Sequence, residues 1–176
     1  MANREALREL QARLAERLQL ARTEARQLSW LAVECAGQGL LLPLQGAGEI
    51  FPMATLMPVP HTPPWFMGVA NLRGGLHGVV DLASFLGLRD GALPEGVRES
   101  ASLLALNAAL GSHSAVLVDR LAGLRGADQL TAEETEDDLP RPSFAGPRWR
   151  DGDGQIWQEI DLGALARHEQ FLGISA

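Results

Sequence analysis

The apolar positions of the chain form one helical stretch, followed by many short runs with the spacing of strands. In residues 4–28, apolar side chains recur at steps of three and four, which predicts an amphipathic helix. They are Leu7, Leu10, Leu14, Leu18, Ala21, Ala25 and Leu28. Most helix stability in proteins comes from packing of the apolar face. The pattern therefore predicts that this stripe packs on the protein's own domain, with docking on a partner or a membrane as the alternative.

From residue 30 onward the apolar runs are short, and glycines or prolines separate them. Hairpin-like turns at 36–39 and 151–154 join neighbouring runs, and Pro43 indicates a strand end or an edge strand. Five prolines in residues 52–64 predict an extended loop. Strands are predicted at 30–35, 40–44, 102–106, 115–119, 144–150 and 155–160. Residues 89–100 are predicted to be a polar connector, and the acidic residues 128–138 a solvated loop or short helix, with a binding tail as the alternative. Asp161 is predicted to cap a final helix.

The stretch between Pro63 and Leu88 combines strand, turn and helix-cap patterns most closely. Two apolar runs, 66–72 and 76–80, flank the turn Arg73-Gly74-Gly75, which predicts a β-hairpin. Asp81 follows, and its carboxylate is suited to cap a short helix that stops at Gly87. Many short strands with few helices favour small β-barrels over a parallel α/β sheet.

Composition narrows the classes of function. The 176 residues are 46% hydrophobic with a net charge of −7, as in an ordinary soluble protein, and this disfavours a nucleic-acid partner. All 15 basic residues are arginine. The N-terminus lacks an apolar secretory segment, and no apolar run is long enough to span a bilayer. With a single cysteine, Cys35, no internal disulfide is possible, so we expect a cytoplasmic protein without direct membrane insertion.

The residue types that support catalysis or metal binding are not grouped in the sequence. Four scattered histidines and one cysteine predict no zinc site, and Cys35 lies in an apolar run where a buried, inert thiol is expected. The run 151–154 (Asp-Gly-Asp-Gly) lacks the later ligands of a calcium loop and favours a plain hairpin turn. Ser112 and Ser114 flank His113 without a nucleophile elbow. No cofactor, metal site or catalytic residue is predicted.

Arg73 is the most unusual residue of the hairpin, because a lone guanidinium stands at the tip of two apolar strands. One interpretation is structural, in which Arg73 pairs with Glu49 or a carbonyl and braces the hairpin. The other is an interface anchor, since arginine is enriched at binding hot spots. Residue chemistry alone leaves both open.

The order Gly68-Val-Ala-Asn-Leu-Arg-Gly74, Val79-Val-Asp-Leu82 and Phe85-Leu-Gly87 resembles the signature of CheW-like domains. Gly48-Glu-Ile50, the proline loop and the strand 115–119 resemble further elements of that family. The resemblance extends over residues 30–172 and is most specific over 63–88. Three positions depart from the family pattern: Gly78 replaces a proline, Ser112-His-Ser114 replaces a glycine, and Ala47-Gly48 replaces a valine. Within the family, the chain most resembles PilI-type adaptors of twitching-motility chemosensory systems.

The resemblance implies a mainly β fold of two small, five-stranded SH3-like barrels with a helix at each end. Residues 1–29 would form the N-terminal amphipathic helix and 30–172 the CheW-like domain. It further implies a non-enzymatic adaptor between a chemoreceptor's cytoplasmic tip and the regulatory domain of a CheA-type histidine kinase. By motif match, its partner-binding residues would be Arg73, Asn71, Glu49, Gly74 and Asp81. A CheW-like protein of a flagellar or other array is one alternative, and a small β-barrel enzyme or ligand carrier is another.

Overall fold

One long helix precedes two β-sheets in the computed structural model, which describes the backbone of residues 2–27, 29–134 and 139–173. The strands are β1 Ser29–Cys35, β2 Gln38–Pro43, β3 Ala47–Pro52, β4 Phe66–Leu72, β5 Gly75–Asp81, β6 Ser102–Leu106, β7 Ser114–Val118, β8 Arg120–Gly126, β9 Leu130–Glu133, β10 Ala145–Asp151 and β11 Ile156–Ile160. The helices are α1 Ala2–Gln27, α2 Leu82–Phe85, α3 Glu95–Ser100, α4 Leu162–Arg167 and α5 Glu169–Leu172, with 3₁₀ turns at Ala108–Leu110 and Ala127–Gln129.

The strands form two lobes. The first lobe is a six-stranded sheet in the order β8-β1-β2-β11-β10-β9, and the second is a five-stranded sheet in the order β3-β6-β7-β5-β4. Neighbours are antiparallel except for β2 with β11 and β5 with β7, which are parallel. The mainly β, two-lobed SH3-like architecture is thus confirmed, and the predicted strand count holds for the second lobe.

The prediction of five strands was wrong for the first lobe, because part of the acidic segment pairs with β10. Leu130 begins β9 opposite Asp151 and is buried among the tryptophans of the first lobe. Burial of this one leucine within an otherwise polar run outweighs the preference of its neighbours for a loop. Residues 135–138 of the same segment lie outside the described residues.

The second sheet curls, so that the segment following β3 returns to the opposite edge of the sheet at β4. Met57 and Val69 exchange backbone hydrogen bonds of 2.8 Å in both directions. A Cβ on Gly68 would lie 2.3 Å from the Met57 carbonyl oxygen, and Gly68 has a φ of +127°. Only glycine therefore permits this approach of two backbones.

Successive side chains of the same strand belong to different buried clusters. Leu103 and Val79 point into the second lobe, whereas their neighbours Leu104 and Val80 face a cluster shared by both lobes. A strand directs successive side chains to opposite faces, so a fully buried strand such as β7 contributes to both clusters. The shared cluster also holds the apolar residues of α2, α4 and α5, and it joins the lobes.

The prediction that the N-terminal leucine stripe packs on its own domain is not met in the part of α1 whose side chains are described, residues 8–20. Every residue there is exposed, including Leu10, Leu14 and Leu18 at 57%, 52% and 60%. Among the described residues, the buried clusters consist of residues from the strands, the short helices and the loops between them, and none of the clusters includes these leucines.

In two segments the observed structure differs in detail from the prediction. The polar connector 89–100 contains α3, and the final helix is divided at His168, whose backbone is extended. Asp161 caps α4 as predicted, since its Oδ1 accepts from the Ala164 N–H at 2.9 Å. Among the described helices, none combines the length and the apolar character that a membrane crossing requires.

Candidate functional site

The β4–β5 hairpin closes with a two-residue turn made by Arg73 and Gly74. Both residues have positive φ, +49° and +81°, and Leu72 pairs with Gly75 across the turn. This is the conformation that suits the twist of a hairpin, and asparagine and glycine favour it. Asn71 Oδ1 accepts from the Gly74 N–H at 2.9 Å, which fixes the turn from the strand side. Asn71 and Gly74 thus hold Arg73 at a defined place.

Arg73 reaches across to β3, where its Nη2 lies 2.5 Å from Glu49 Oε1. The pair joins the hairpin to the strand at the far edge of the same sheet, so it spans the mouth of the curled second lobe. Arg73 remains 75% exposed and Glu49 43% exposed. The bracing contact weighed from the sequence exists, and the guanidinium is still open to a partner.

Asp81 lies apart from these four residues, because it is buried at the start of α2. Its Oδ1 accepts from the backbone N–H groups of Ala83 at 3.1 Å and Ser84 at 3.4 Å, as predicted for an N-cap. Both oxygens also accept from Arg89 Nη1, at 3.0 and 2.8 Å. Asp81 therefore acts on the fold from within, while Arg73, Gly74, Asn71 and Glu49 are exposed.

Arg89 is bound by a second carboxylate, that of Asp119, through its Nη2. Burial lowers the pKa of Arg89, but its hydrogen bonds to Asp119 and Asp81 outweigh burial, so the net pKa is raised. Asp119 Oδ2 also accepts from the Ala36 N–H in the β1–β2 turn, at 2.8 Å. This clamp (Asp81, Arg89 and Asp119) links the second lobe to the first. Sequence reasoning missed it, because Arg89 lies in a polar connector with no motif of its own.

Cys35 lies beside this clamp in the shared core and is 0% exposed. Burial is the largest effect on its thiol and raises its pKa from 9.0 to about 12. The nearby Asp119 and Asp81 charges add to the increase, and a backbone hydrogen bond associated with Asp119 opposes it. A thiol with this pKa is protonated at neutral pH, which agrees with the prediction of a buried, inert cysteine.

A groove of about 410 Å³ opens where the two lobes meet. Its buried floor is formed by Trp30 and Leu162, and Pro43 and Leu110 extend the apolar lining. Two carboxylates also line it, the exposed Asp161 and the half-buried Glu159, and we call this cavity the lobe groove. Arg73 is not among its lining residues. Gly46 lines the groove one residue before β3, the strand that carries Glu49.

His77 and His113 approach with ring centroids 6.3 Å apart, but no group of three or more possible metal ligands occurs among the described residues. Ser112 donates to the hydroxyl of Ser114. The run 151–154 is a hairpin turn between β10 and β11, as predicted.

In that turn the Asp151 carboxylate is occupied by the protein itself. Its Oδ1 accepts from the Asp153 and Gln155 N–H groups, and its Oδ2 from Trp157 Nε1 at 2.9 Å. The Trp157 hydrogen bond is the main reason that the pKa of Asp151 is lowered.

The chain is similar to known proteins both in sequence and in structure. Residues 29–170 match the family model described as the CheW-like domain. Protein PilI of Pseudomonas aeruginosa is 26% identical over 166 residues, covering 93% of this chain and 89% of the relative. The crystal structure of the scaffolding protein TtCheW from Thermoanaerobacter tengcongensis has a TM-score of 0.62 at 16% identity. That match covers 77% of this chain and 89% of the solved one, and it supports the fold.

Proposed function

The chain belongs to the CheW-like family, and we propose from this that it is a non-enzymatic adaptor that couples a chemoreceptor to a CheA-type histidine kinase. A scaffold or adaptor role in chemosensory signalling is the property that the family supports. The identity of the two partners, the array in which they work and a cytoplasmic location are the parts that we propose.

One observation supports the proposal most directly, the exposed pair of Arg73 and Glu49 at the mouth of the second lobe. Both residues belong to the segments that resemble the family signature, and a rigid turn holds Arg73 in place. An exposed arginine that is already oriented loses little side-chain entropy when it binds, which suits an interface anchor.

We assign the lobe groove to the receptor and the exposed edge of the second lobe to the kinase domain. The groove presents the half-buried apolar side chains of Pro43 and Leu110, which suit the apolar face of a helix. Gly46 lines the groove, and Glu49 lies three residues further along the chain, about 10 Å at the rise of a strand. A receptor helix seated in the groove therefore passes near Arg73. β3 is an edge strand with its face largely exposed, so it is accessible to a second domain.

We further propose that the array controls type IV pilus twitching motility. Two observations support this choice over a flagellar array: the resemblance of the hairpin region to PilI-type adaptors, and the similarity to Protein PilI over 93% of the chain. That similarity includes most of α1, which precedes the residues matched by the family model.

The experiment is a pull-down of receptor-tip and kinase regulatory-domain fragments from the same organism, with the wild type and Arg73→Ala. We expect Arg73→Ala to weaken receptor capture while the circular dichroism spectrum stays unchanged. Arg150→Ala is a matched control, because Arg150 is also an exposed arginine paired with a strand glutamate, Glu133, but it belongs to the first lobe. Unchanged capture of both fragments by a folded Arg73→Ala protein would remove Arg73 from the interface. Failure of the wild type to capture either fragment would reject the adaptor assignment.

A further inference from the structure

The exposed stripe of α1 has a charge arrangement that restricts what can cover it. At 3.6 residues per turn, Arg17 and Arg13 lie about 60° and 100° to one side of Leu14, so they border the stripe. Glu16 and Glu9 lie about 160° and 140° away, on the opposite face. All of these side chains are exposed. The partner surface that this arrangement fits is apolar and bordered by carboxylates, since arginines beside an apolar contact pair best with acids.

A second copy of α1 does not provide such a surface. In an antiparallel pair the Arg13 and Arg17 borders of the two helices would face each other. In a parallel pair they would face Gln11 and Arg8, because those residues border the stripe on its other side. Neither arrangement places a carboxylate beside the described arginines, so a simple coiled coil of two α1 helices is disfavoured by repulsion between like charges.

The rest of the chain has the opposite charge. Residues 2–27 contain six arginines and four glutamates, whereas the remaining residues contain nine arginines and eighteen acids. Within that acidic part, the lobe groove combines the half-buried apolar side chains of Pro43 and Leu110 with the carboxylates of Glu159 and Asp161. Its volume of about 410 Å³ accommodates a leucine together with a bordering arginine. We propose that the leucine stripe of α1 docks in the lobe groove of a second copy of this chain.

The helix of the same chain is a poor occupant for the same groove. α1 ends at Gln27 and β1 begins at Ser29, whereas Leu10, Leu14 and Leu18 lie 9 to 17 residues before that end. A reversal of direction between packed elements takes about two to five residues. The chain between Gln27 and Ser29 is too short to turn α1 back onto a groove that contains Trp30. Docking between copies meets no such constraint. If the proposed receptor site also holds, self-association and receptor binding exclude each other, but the docking itself does not depend on that function.

The test is sedimentation of the purified full chain over a range of concentrations at low and high salt. The expected result is reversible self-association that salt weakens, because charged borders are screened. Leu14→Glu is expected to weaken self-association at least about tenfold, the change that 1.4 kcal/mol produces. Ala12→Glu is the matched control: Ala12 is exposed on the same helix and receives the same charge, but it lies about 160° from Leu14 and should leave self-association unchanged.

The groove side is tested with the double variant Glu159→Gln and Asp161→Asn. The replacements retain an acceptor for Trp149 Nε1, which donates to Glu159 at 2.7 Å, and a capping oxygen at position 161. They remove both charges, so weaker self-association with little salt dependence is expected.

Three results would overturn the proposal: a wild type that stays monomeric at every concentration, equal effects of Leu14→Glu and Ala12→Glu, or a groove variant that associates like the wild type. In parallel, phosphatidylglycerol vesicles are mixed with the same proteins. Vesicle binding by a monomeric wild type that Leu14→Glu abolishes would assign the stripe to membranes and reject docking between copies.

Discussion

Arg89 binds Asp81, eight residues before it, with Nη1 2.8 Å from Asp81 Oδ2 and both side chains less than 10% exposed. The other side of the guanidinium binds Asp119, which in turn accepts from the Ala36 N–H. Asp81 ends β5 of the second lobe, and Ala36 lies in a turn of the first lobe. One buried cation thus neutralises two acids at the junction of the lobes.

Replacing Arg89 by methionine should strongly destabilise the protein. The change leaves two carboxylates near each other without a cation, and removal of one partner of a buried pair costs about 3–5 kcal/mol. The free energy of unfolding from urea titration measures the loss. Arg150→Ala serves as the comparison, because that pair is exposed to water, and its effect should be much smaller. Similar losses in the two variants would mean that the clamp does not hold the lobes.

The Cys35 thiol should make stability depend on pH in the alkaline range. Its pKa is raised from 9.0 to about 12 in the folded protein, so the folded state keeps a proton that the unfolded state releases above pH 9. Stability from this group is therefore fully present below pH 9 and decreases as pH rises toward 12, by about 1.4 kcal/mol per pH unit. The sequence contains neither tyrosine nor lysine, so few other side chains titrate in this window.

The measurement is the free energy of unfolding between pH 8 and pH 11, in the wild type and in Cys35→Ala. The free energy of unfolding should decrease with pH in the wild type. In Cys35→Ala this decrease should be smaller, by about 1.4 kcal/mol per pH unit. In addition, a thiol reagent should label native Cys35 only as fast as the protein opens. Rapid labelling of the native protein, or identical slopes in both proteins, would contradict the burial of this thiol.

Gly68→Ala should disrupt the closure of the second lobe. The added Cβ would lie 2.3 Å from the Met57 carbonyl oxygen, and the φ of +127° is unfavourable for alanine. We expect a loss of at least about 1–3 kcal/mol, the usual cost of strained backbone, measured by thermal or urea unfolding. Gly96→Ala is the control, since no atom lies within 4 Å of its Cβ position and it is within α3. That control should be neutral or slightly stabilising, and equal losses in both variants would exclude a specific clash at Gly68.

Asp151→Ala should weaken the β10–β11 hairpin. The change removes three hydrogen bonds and leaves the buried Trp157 Nε1 without its acceptor, a loss of about 1–3 kcal/mol. Because the pKa of Asp151 is lowered in the folded state, its contribution is present above its unfolded pKa and disappears as pH falls through the folded value. The difference between wild type and variant should therefore shrink in acid.

Asp153→Ala provides the comparison for this turn, since Asp153 contributes its backbone N–H to the Asp151 carboxylate. It should unfold like the wild type. Equal stability of Asp151→Ala and Asp153→Ala at neutral pH would show that the Asp151 carboxylate does not stabilise the turn.

Local patterns were sufficient to predict the elements that depend on neighbouring residues. The β4–β5 hairpin follows from two apolar runs around Arg73-Gly74, and the caps at Asp81 and Asp161 follow from an acid placed directly before a helical pattern. The short apolar run at 115–119 predicted a strand, which is β7 in the structure. The family resemblance also pointed to Arg73, Asn71, Gly74 and Glu49, which are exposed in the structure. Each of these signals acts within a few residues or within one motif.

The tertiary structure alone decided which distant residues meet. Arg89 and Asp119 are 30 residues apart, and Ala36 and Asp119 are 83 apart, so no local spacing connects them. The residues that line the lobe groove are also distant in sequence, since they come from β1, the segment before β3 and the start of α4. Leu130 is a strand residue that the first lobe buries among its tryptophans, whereas the leucines of α1 in residues 8–20 are exposed. A sequence pattern shows that a face is apolar, but only the packing of the whole chain determines whether that face is covered.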